Sequence, residues 1–444
     1  MKLEEYRSGE YVKMNDYKAF IPSKINYNWG WDDTKLDKLL AEANRQIGEL
    51  NAYSLLIPNV DLYIKMHVKI EANKSSRIEG TRTTVEEDLL DVTDINPEKR
   101  DDWEEVQNYV KATNYGVERI KNGFPVCTRL IRELHKILMQ GVRGEHKTPG
   151  EFRTSQNWIG GSMPSNAVYV PPPHTEIAEC LTDFEKFINN EEIDTPDLIK
   201  IAILHYQFES IHPFLDGNGR IGRLLIPLYI QSKGMLDKSC LYISDYIERN
   251  KDTYYDMLTR VRTHNDIIAW IKFFLEAVIE TSKTAKEKFR NVVELTMEMD
   301  KVIMDLPVKP ENAKKVLDVL YDEPIVSRKK ILELVDIKPT TLNVCINALK
   351  EKNIIIETTE KNVKSIKGPN GEAIISYKSP TPPSGYKYYN TEKNEMTKPD
   401  KFKEIWITLK NPIEYEDVMD KNYNIDMYIA KENHKQEIHL KGFE

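Results

Sequence analysis

Between Trp103 and Phe289 the chain repeats one pattern six times: apolar residues spaced three and four apart over a helix length, then a break. The stretches are WEEVQNYVKATNYGVERI, TRLIRELHKILMQGV, IAECLTDFEKFINN, PDLIKIAILHYQFESI, GRIGRLLIPLYIQSKG and NDIIAWIKFFLEAVIETSKTAKEKF. A helix with one apolar face must bury it against another element, so this succession restricts the region to a helical bundle. One interruption breaks the rhythm. In FRTSQNWIGGSMPSNAVYVPPP, QNWIG and AVYV flank a segment rich in Gly, Pro, Ser and Asn, the pattern of a short β-hairpin projecting as a flap. The expected class is mainly α, a helical bundle core with a β-hairpin flap.

At 444 residues the chain suggests two to four domains. Residues 1–98 read as an N-terminal helical region, with LDKLLAEANRQIGELNAYSLLI and VDLYIKMHVKIEANKSSRIEG parted at Pro58 and Asn59. The polar DINPEKRDD marks its end, and residues 99–289 form the core. Residues 290–378 read as a linker helix, then three short helices and a two-stranded hairpin, the order of a winged helix-turn-helix. Residues 379–444 carry no assignment.

A net charge of -8 gives no global attraction to nucleic acid or to an anionic membrane. The N-terminus lacks the apolar core of a secretory signal, and no segment approaches the roughly 20 apolar residues of a membrane span. The expectation is a cytoplasmic protein without a membrane partner. Cys127, Cys180, Cys240 and Cys345 lie far apart, without metal-ligand spacing, and read as reduced thiols.

The chemistry concentrates in residues 212–223, HPFLDGNGRIGR. Thr195 and Pro196 are expected at the cap and first turn of the helix that leads there, and His212 ends it because Pro213 follows. The glycines of DGNG allow a tight turn, after which a helix starts near Arg220. Glycines, an Asn and unpaired amides at a helix start form an anion-binding nest. Arg220 and Arg223, three apart, reach the same side and can grip phosphate oxygens. Asp216 can hold a divalent cation between phosphates. His212 stands beside the nest as a proton acceptor, at a helix C-terminus that favours the imidazolium it would become.

These twelve residues resemble the signature of the Fic family, HxFx[D/E]GNGRxxR, matched by His212, Phe214, Asp216, Gly217, Asn218, Gly219, Arg220 and Arg223. The resemblance implies a Fic-type helical core that moves AMP from ATP to a Tyr, Thr or Ser hydroxyl of a protein, the chain itself included, releasing pyrophosphate. In that reading His212 is the base and Asp216 the Mg2+ ligand. Asn218 and the amides of Gly217 and Gly219 cradle phosphate, and Arg220 and Arg223 hold the triphosphate tail. The related Doc-type kinases carry lysine at the second glycine of GNG, so Gly219 favours nucleotidyl transfer over phosphate transfer.

Three further segments resemble the family. GEFRTSQNWIGG and YVPPP are similar to its target-docking flap, which would place a target through main-chain bonds at Gln156, Asn157, Trp158 and Ile159. YISDYIERNKDTYYDML is similar to its nucleoside-side segment, so Asn250, Tyr254 and Tyr255 stand either beside adenine or ribose or in the core. Ser75, Glu79 and Gly80 match the spacing SxxxEG of an inhibitory helix, which would bring the Glu79 carboxylate onto Arg223 as a bidentate pair. His205 reads as a satisfied core histidine. The winged helix is open to DNA contact or to protein contact and homodimer formation. Two alternatives to AMP transfer remain at this stage: an ATP-sensing DNA-binding regulator, and removal of AMP or transfer of another phosphate ester.

Overall fold

The computed structural model describes residues 1–56, 60–141 and 147–356, and beyond them short strand segments between residues 366 and 441. The chain divides into two compact units, Met1–Cys345 and Ile346–Glu444. Pro58 and Asn59, expected to part the first two helices, lie outside the described residues.

The first unit opens with a hairpin that the apolar pattern did not announce. β1 (Gly9–Lys13) and β2 (Lys18–Pro22) pair antiparallel, Gly9 opposite Pro22 and Lys13 opposite Lys18. The Met14 N–H donates to the Tyr17 carbonyl across the turn, and the Phe20 N–H donates to the Val170 carbonyl, both at 2.9 Å. Helices follow. α1 (Thr34–Leu56) and α2 (Val60–Ile78) precede the one-turn α3 (Val85–Asp88), which Thr84 and Glu87 start with a reciprocal capping box. The core comprises α4 (Arg100–Lys121), α5 (Thr128–Leu138), α6 (Ile177–Asn189), α7 (Asp197–Ile211), α8 (Asn218–Ser232), α9 (Ser244–Arg249), α10 (Lys251–His264) and α11 (Ile267–Met304). After it come α12 (Pro310–Asp322), α13 (Arg328–Leu334) and α14 (Pro339–Glu351).

Helices α7 and α8 form the centre. Every residue from Leu198 to Ile211 is buried, as is every residue from Arg220 to Gln231. A helix that is apolar on nearly all sides belongs in the middle of a bundle, and these two bring the loop between them into the core. Buried polar side chains on α7 are partnered where the core supplies a group: His205 sits between the Gly222 carbonyl (3.1 Å) and the Tyr254 hydroxyl (2.9 Å). Both helix starts differ from expectation by one or two residues. Pro196 occupies the cap of α7, and the Thr195 hydroxyl accepts the Trp29 N–H at 2.9 Å instead; α8 begins at Asn218, ahead of Arg220.

Helix α1 packs along α11, tied by Lys272 to Asp33 and by Lys286 to Gln46 and Glu49. The first half of α11 is buried through Phe289, and from Arg290 to Val302 none of its residues is buried. α12 then folds back onto both α11 and α2, with Lys314 on Asp300 at 2.6 Å and Lys65 on Asp322 at 2.9 Å.

The expected flap hairpin is present as one antiparallel bridge, Ile159 to Tyr169, and no strand forms. Gly160 and Gly161 both take φ near 70°, and Pro164 begins a short 3-10 turn, so the ladder cannot extend. In the second unit, β3 (Ile366–Lys367) pairs with β4 (Ala373–Ile375) and β5 (Tyr389–Asn390) with β6 (Glu395–Met396). β7 (Glu404–Leu409), β8 (Asp426–Glu432) and β9 (Lys435–Lys441) form an antiparallel sheet with β9 in the middle. Three short helices occur where the winged helix was expected; most of its hairpin lies outside the described residues. No helix among the described residues is long and apolar enough to cross a membrane.

Candidate active site

The site is built where α7 stops. Pro213 cannot continue a helix, and His212 turns out of α7 with φ 48° and ψ 60°, a left-handed conformation that a non-glycine residue adopts rarely. Its N–H still donates to the Phe208 carbonyl at 2.9 Å. The loop then folds around the Asn218 side chain, which accepts the Phe214 N–H at 2.8 Å and donates to the Phe214 carbonyl at 2.9 Å. Asn218 thus spends its side chain on the loop, leaving its backbone amide for an anion. Phe214 is fully buried, its ring stacked on His135 at 3.7 Å between centroids and 4° between planes.

His135 is a support that the residue spacing gave no reason to place here. Its Nδ1 accepts the Gly150 N–H at 2.8 Å, so Nε2 carries the proton and donates to the Asp216 carbonyl at 3.0 Å. Burial pushes this imidazole down to about 4, which keeps that tautomer in place at neutral pH. The Asp216 carboxylate accepts the Gly217 N–H at 2.5 Å, and Gly217 enters α8 with φ 77°. The N–H groups in the first turn of α8 have no intrahelical acceptor and open onto this loop.

The two arginines have separate surroundings. Arg220 Nη1 donates to Glu105 Oε2 at 2.9 Å, and its Nη2 lies 3.5 Å from Asp216 Oδ1. Arg223 Nε donates to the Ser75 hydroxyl and Nη2 to the Ser75 carbonyl, both at 2.9 Å, while Nη2 also reaches Glu79 Oε1 at 2.7 Å. Glu79 therefore meets Arg223 through one oxygen and one nitrogen, not as the expected bidentate pair; Ser75 takes Nε and shares Nη2, and Nη1 has no partner among the described residues. Burial, the largest single influence, raises the Glu79 carboxyl, but the charge and hydrogen bond of Arg223 together with the Arg220 charge hold the group below its ordinary value. Gly219 makes room for this arrangement: a Cβ there would strike Glu79 Oε1. Gly80, with φ 109°, ends the segment, and Lys251 donates to the Ile78 carbonyl at 2.6 Å.

Three polar atoms around the loop are buried without a partner among the described residues: His212 Nδ1, Arg220 Nε and Arg223 Nη1. Glu209 Oε1, one turn before His212 on α7, is a fourth, and burial raises that carboxyl to about 7. The His212 imidazole is pushed down to about 4 by burial, with the Arg153 charge as the next contribution. This corrects the expectation that the helix end favours imidazolium; a cation already stands there. Asp216, with 49% of its side chain exposed, is the loop's one carboxylate. A single open carboxylate beside unpaired phosphate donors fits magnesium, which takes one or two carboxylates and completes its shell with phosphate and water. Among the described residues no group of three or more metal-ligating side chains is assembled.

Of the other expected site residues, Tyr254 is core, 1% exposed and bonded to His205, whereas Tyr255 is 40% exposed. The Asn250 side chain donates to the Tyr246 carbonyl at 2.8 Å. On the flap, Trp158 and Ile159 are exposed with Met163 and Val168, while Gln156 donates to the Pro171 carbonyl and Asn157 to the Phe214 carbonyl. Arg153, Glu105 and Glu209 complete the surroundings of the loop; each comes from outside the twelve-residue run or carries no spacing that marks it.

Residues 38–118 match the Fic/DOC family N-terminal region and residues 125–230 match the Fic/DOC family. Protein adenylyltransferase Fic of Drosophila erecta is 26% identical over 220 residues, 49% of this chain and 40% of that protein. The protein of the same name from Drosophila yakuba is 28% identical over 220 residues with the same coverage. The chain thus spans 40% of the length of these curated relatives. A solved Fic family protein from Desulfovibrio desulfuricans G20 aligns with 25% identity and a TM-score of 0.48 over 60% of this chain and 77% of that one.

Proposed function

Since this chain carries the N-terminal and Fic domains of the Fic/DOC family, we propose that it transfers AMP from ATP to a hydroxyl of a protein, releasing pyrophosphate. The observation that carries the reading is the set of buried, unpartnered atoms at one loop: His212 Nδ1, Arg220 Nε and Arg223 Nη1, beside the open start of α8. The two arginine nitrogens are unpaired buried donors, which a phosphate chain would satisfy. The neutral His212 imidazole accepts the proton of the incoming hydroxyl. The hydroxyl oxygen forms a bond to the α-phosphorus, and the bond from that phosphorus to the bridging oxygen of the β-phosphate breaks. The α8 amides and the arginines hold the phosphate oxygens in place during this exchange. Magnesium held by Asp216 would neutralise charge between the phosphates.

Two parts of the arrangement bear on regulation and on the target. Glu79 occupies one amino group of Arg223, so the triphosphate tail must compete with it, and a tail turned away leaves the α-phosphate out of line. Glu79 is thus the internal inhibitor. The flap's exposed Trp158, Ile159, Met163 and Val168, on a segment held by a single bridge, suit contact with a target segment.

The test is the full chain carrying Glu79→Gly, incubated with ATP labelled at either the α- or the γ-phosphate. Label from the α position is expected on protein, either this chain or an added target, with pyrophosphate released. Protein labelled from the γ position alone would replace AMP transfer with a kinase reaction.

A further inference from the structure

Arg153 is a buried cation with no carboxylate against it among the described residues. It is 3% exposed, and burial pulls its guanidinium down to about 10. Its acceptors are main-chain carbonyls: Nε donates to His212 at 3.0 Å, Nη2 to Pro172 at 2.6 Å and Ile211 at 3.5 Å, and Nη1 to Ser155 at 3.1 Å. The Arg153 N–H adds a bond to the Pro213 carbonyl at 2.9 Å. A charge is costly to bury without an opposite charge, so its surroundings must supply strong dipoles. Here they do. Ile211 and His212 end α7, where carbonyls lack intrahelical donors and the helix dipole is negative.

The same guanidinium also grips both legs of the flap, at Ser155 and at Pro172. Asn157, on the first leg, adds a second tie: its Nδ2 donates to the His212 carbonyl at 3.3 Å and to the Phe214 carbonyl at 2.8 Å. Two acceptors on one side determine which end of the amide faces the loop. His212 meanwhile holds a left-handed backbone, a sparsely populated state that persists only where neighbours enforce it.

We propose that Arg153 and Asn157 are positioning residues that fasten the His212 carbonyl to the base of the flap, so that the flap sets the orientation of the base. This rests on the reading of His212 as the base for AMP transfer. The charge of Arg153 has a second effect in the same place, since after burial it is the largest influence keeping the imidazole neutral. A target seated on the flap would then act on the residue that must take its proton.

The test uses the full chain carrying Glu79→Gly, with Asn157→Ala, Arg153→Met or Arg153→Lys added singly. In Asn157→Ala, kcat is expected to fall about 10- to 100-fold while KM for ATP stays within about twofold, because the base moves and the phosphate grips do not. Arg153→Met is expected to move the acidic limb of the kcat profile to higher pH, as the neighbouring cation is lost. Arg153→Lys is expected to return the limb but not kcat, since an ammonium supplies charge without the fork. Unchanged kcat in Asn157→Ala, or an equal loss of kcat and ATP affinity, overturns the proposal, as does an acidic limb that stays put in folded Arg153→Met. If an Arg153 variant does not fold, Asn157→Ala decides. If the Glu79→Gly parent transfers no label, AMP transfer itself fails, and hydrogen exchange at the Phe214 and Gly217 amides decides: faster exchange in Asn157→Ala supports the tie, and unchanged exchange removes it.

Discussion

Arg223 has a limited fork, and three of its present bonds go to the segment that carries Ser75 and Glu79. Removing the carboxylate should therefore free a phosphate grip without touching the loop. Glu79→Gly is expected to raise the initial rate of AMP transfer, including self-modification, by about tenfold or more, and adding Arg223→Ala should cancel the gain. An unchanged rate in folded Glu79→Gly, read by α-labelled ATP, would rule out inhibition by this residue. His212→Ala separates the base from the cradle: transfer is expected to drop by about 10²- to 10⁴-fold, with ATP affinity by calorimetry nearly intact. Asp216→Ala is expected to abolish the dependence of ATP binding on added magnesium, and a metal titration matching the parent would count against its role. At this scale the loop itself was legible as a cluster, because His212, Asp216, the glycines and both arginines lie within twelve consecutive residues. His135, Arg153 and Glu105 were not. They act on backbone carbonyls and on a buried guanidinium across 59 to 115 positions of sequence, and no local spacing reports such contacts.

Among the elements, α2 decides whether Glu79 stays in place. Its hold on the core includes Glu71, 3% exposed, which accepts from the Ser244 hydroxyl, from the Ser244 N–H at 3.2 Å and from the Tyr109 hydroxyl at 3.3 Å. Burial raises the Glu71 carboxyl to about 7 against an ordinary 4.5. A group whose folded value is raised stabilises fully below its unfolded value, and that contribution is lost as pH rises through the folded value. The window is therefore about pH 4.5 to 7. Glu71→Gln, which cannot ionise, is expected to gain in stability relative to the parent across that window, as read from urea midpoints at several pH values. A parent and variant that run parallel in pH would show that the Glu71 carboxyl titrates at its ordinary value in the fold, against the raised one. Helices α7 and α8 were readable from their apolar runs, whereas β1 and β2 were not: their pairing is short, closed by a turn without an Asn-Gly or Asp-Gly signal, and completed by Val170 from the flap side. The flap shows the converse, since its alternating residues suggested strands that two left-handed glycines confine to one bridge.

For the first unit as a whole, the N-terminal helices are part of one core. Leu50 on α1 is fully buried in the same cluster as Leu198 of α7 and Phe274 of α11. Leu50→Ala is thus expected to cost about 2–5 kcal/mol and to shift one cooperative transition of this unit, not to detach an early-melting N-terminal region. Calorimetry with separate melting of α1 would contradict that. The division between residues 98 and 99 anticipated from the polar stretch remains a proposal about sequence organisation, and packing between α2 and α4 runs across it.

Helix α11 adds a mechanical consequence. Its 38 residues make a rod about 57 Å long at 1.5 Å per residue. One end is gripped by the bundle through Phe289, and the stretch beyond has no buried residue until Ile303. Such a rod is a lever with its fulcrum near Phe289: a tilt of about 5° would carry its last turns through roughly 2 Å over the remaining 15 residues. α12 bridges that free arm to Lys65 on α2. A push on the arm, from whatever binds there, would reach the helix that leads into Glu79 with a displacement comparable to the length of a hydrogen bond.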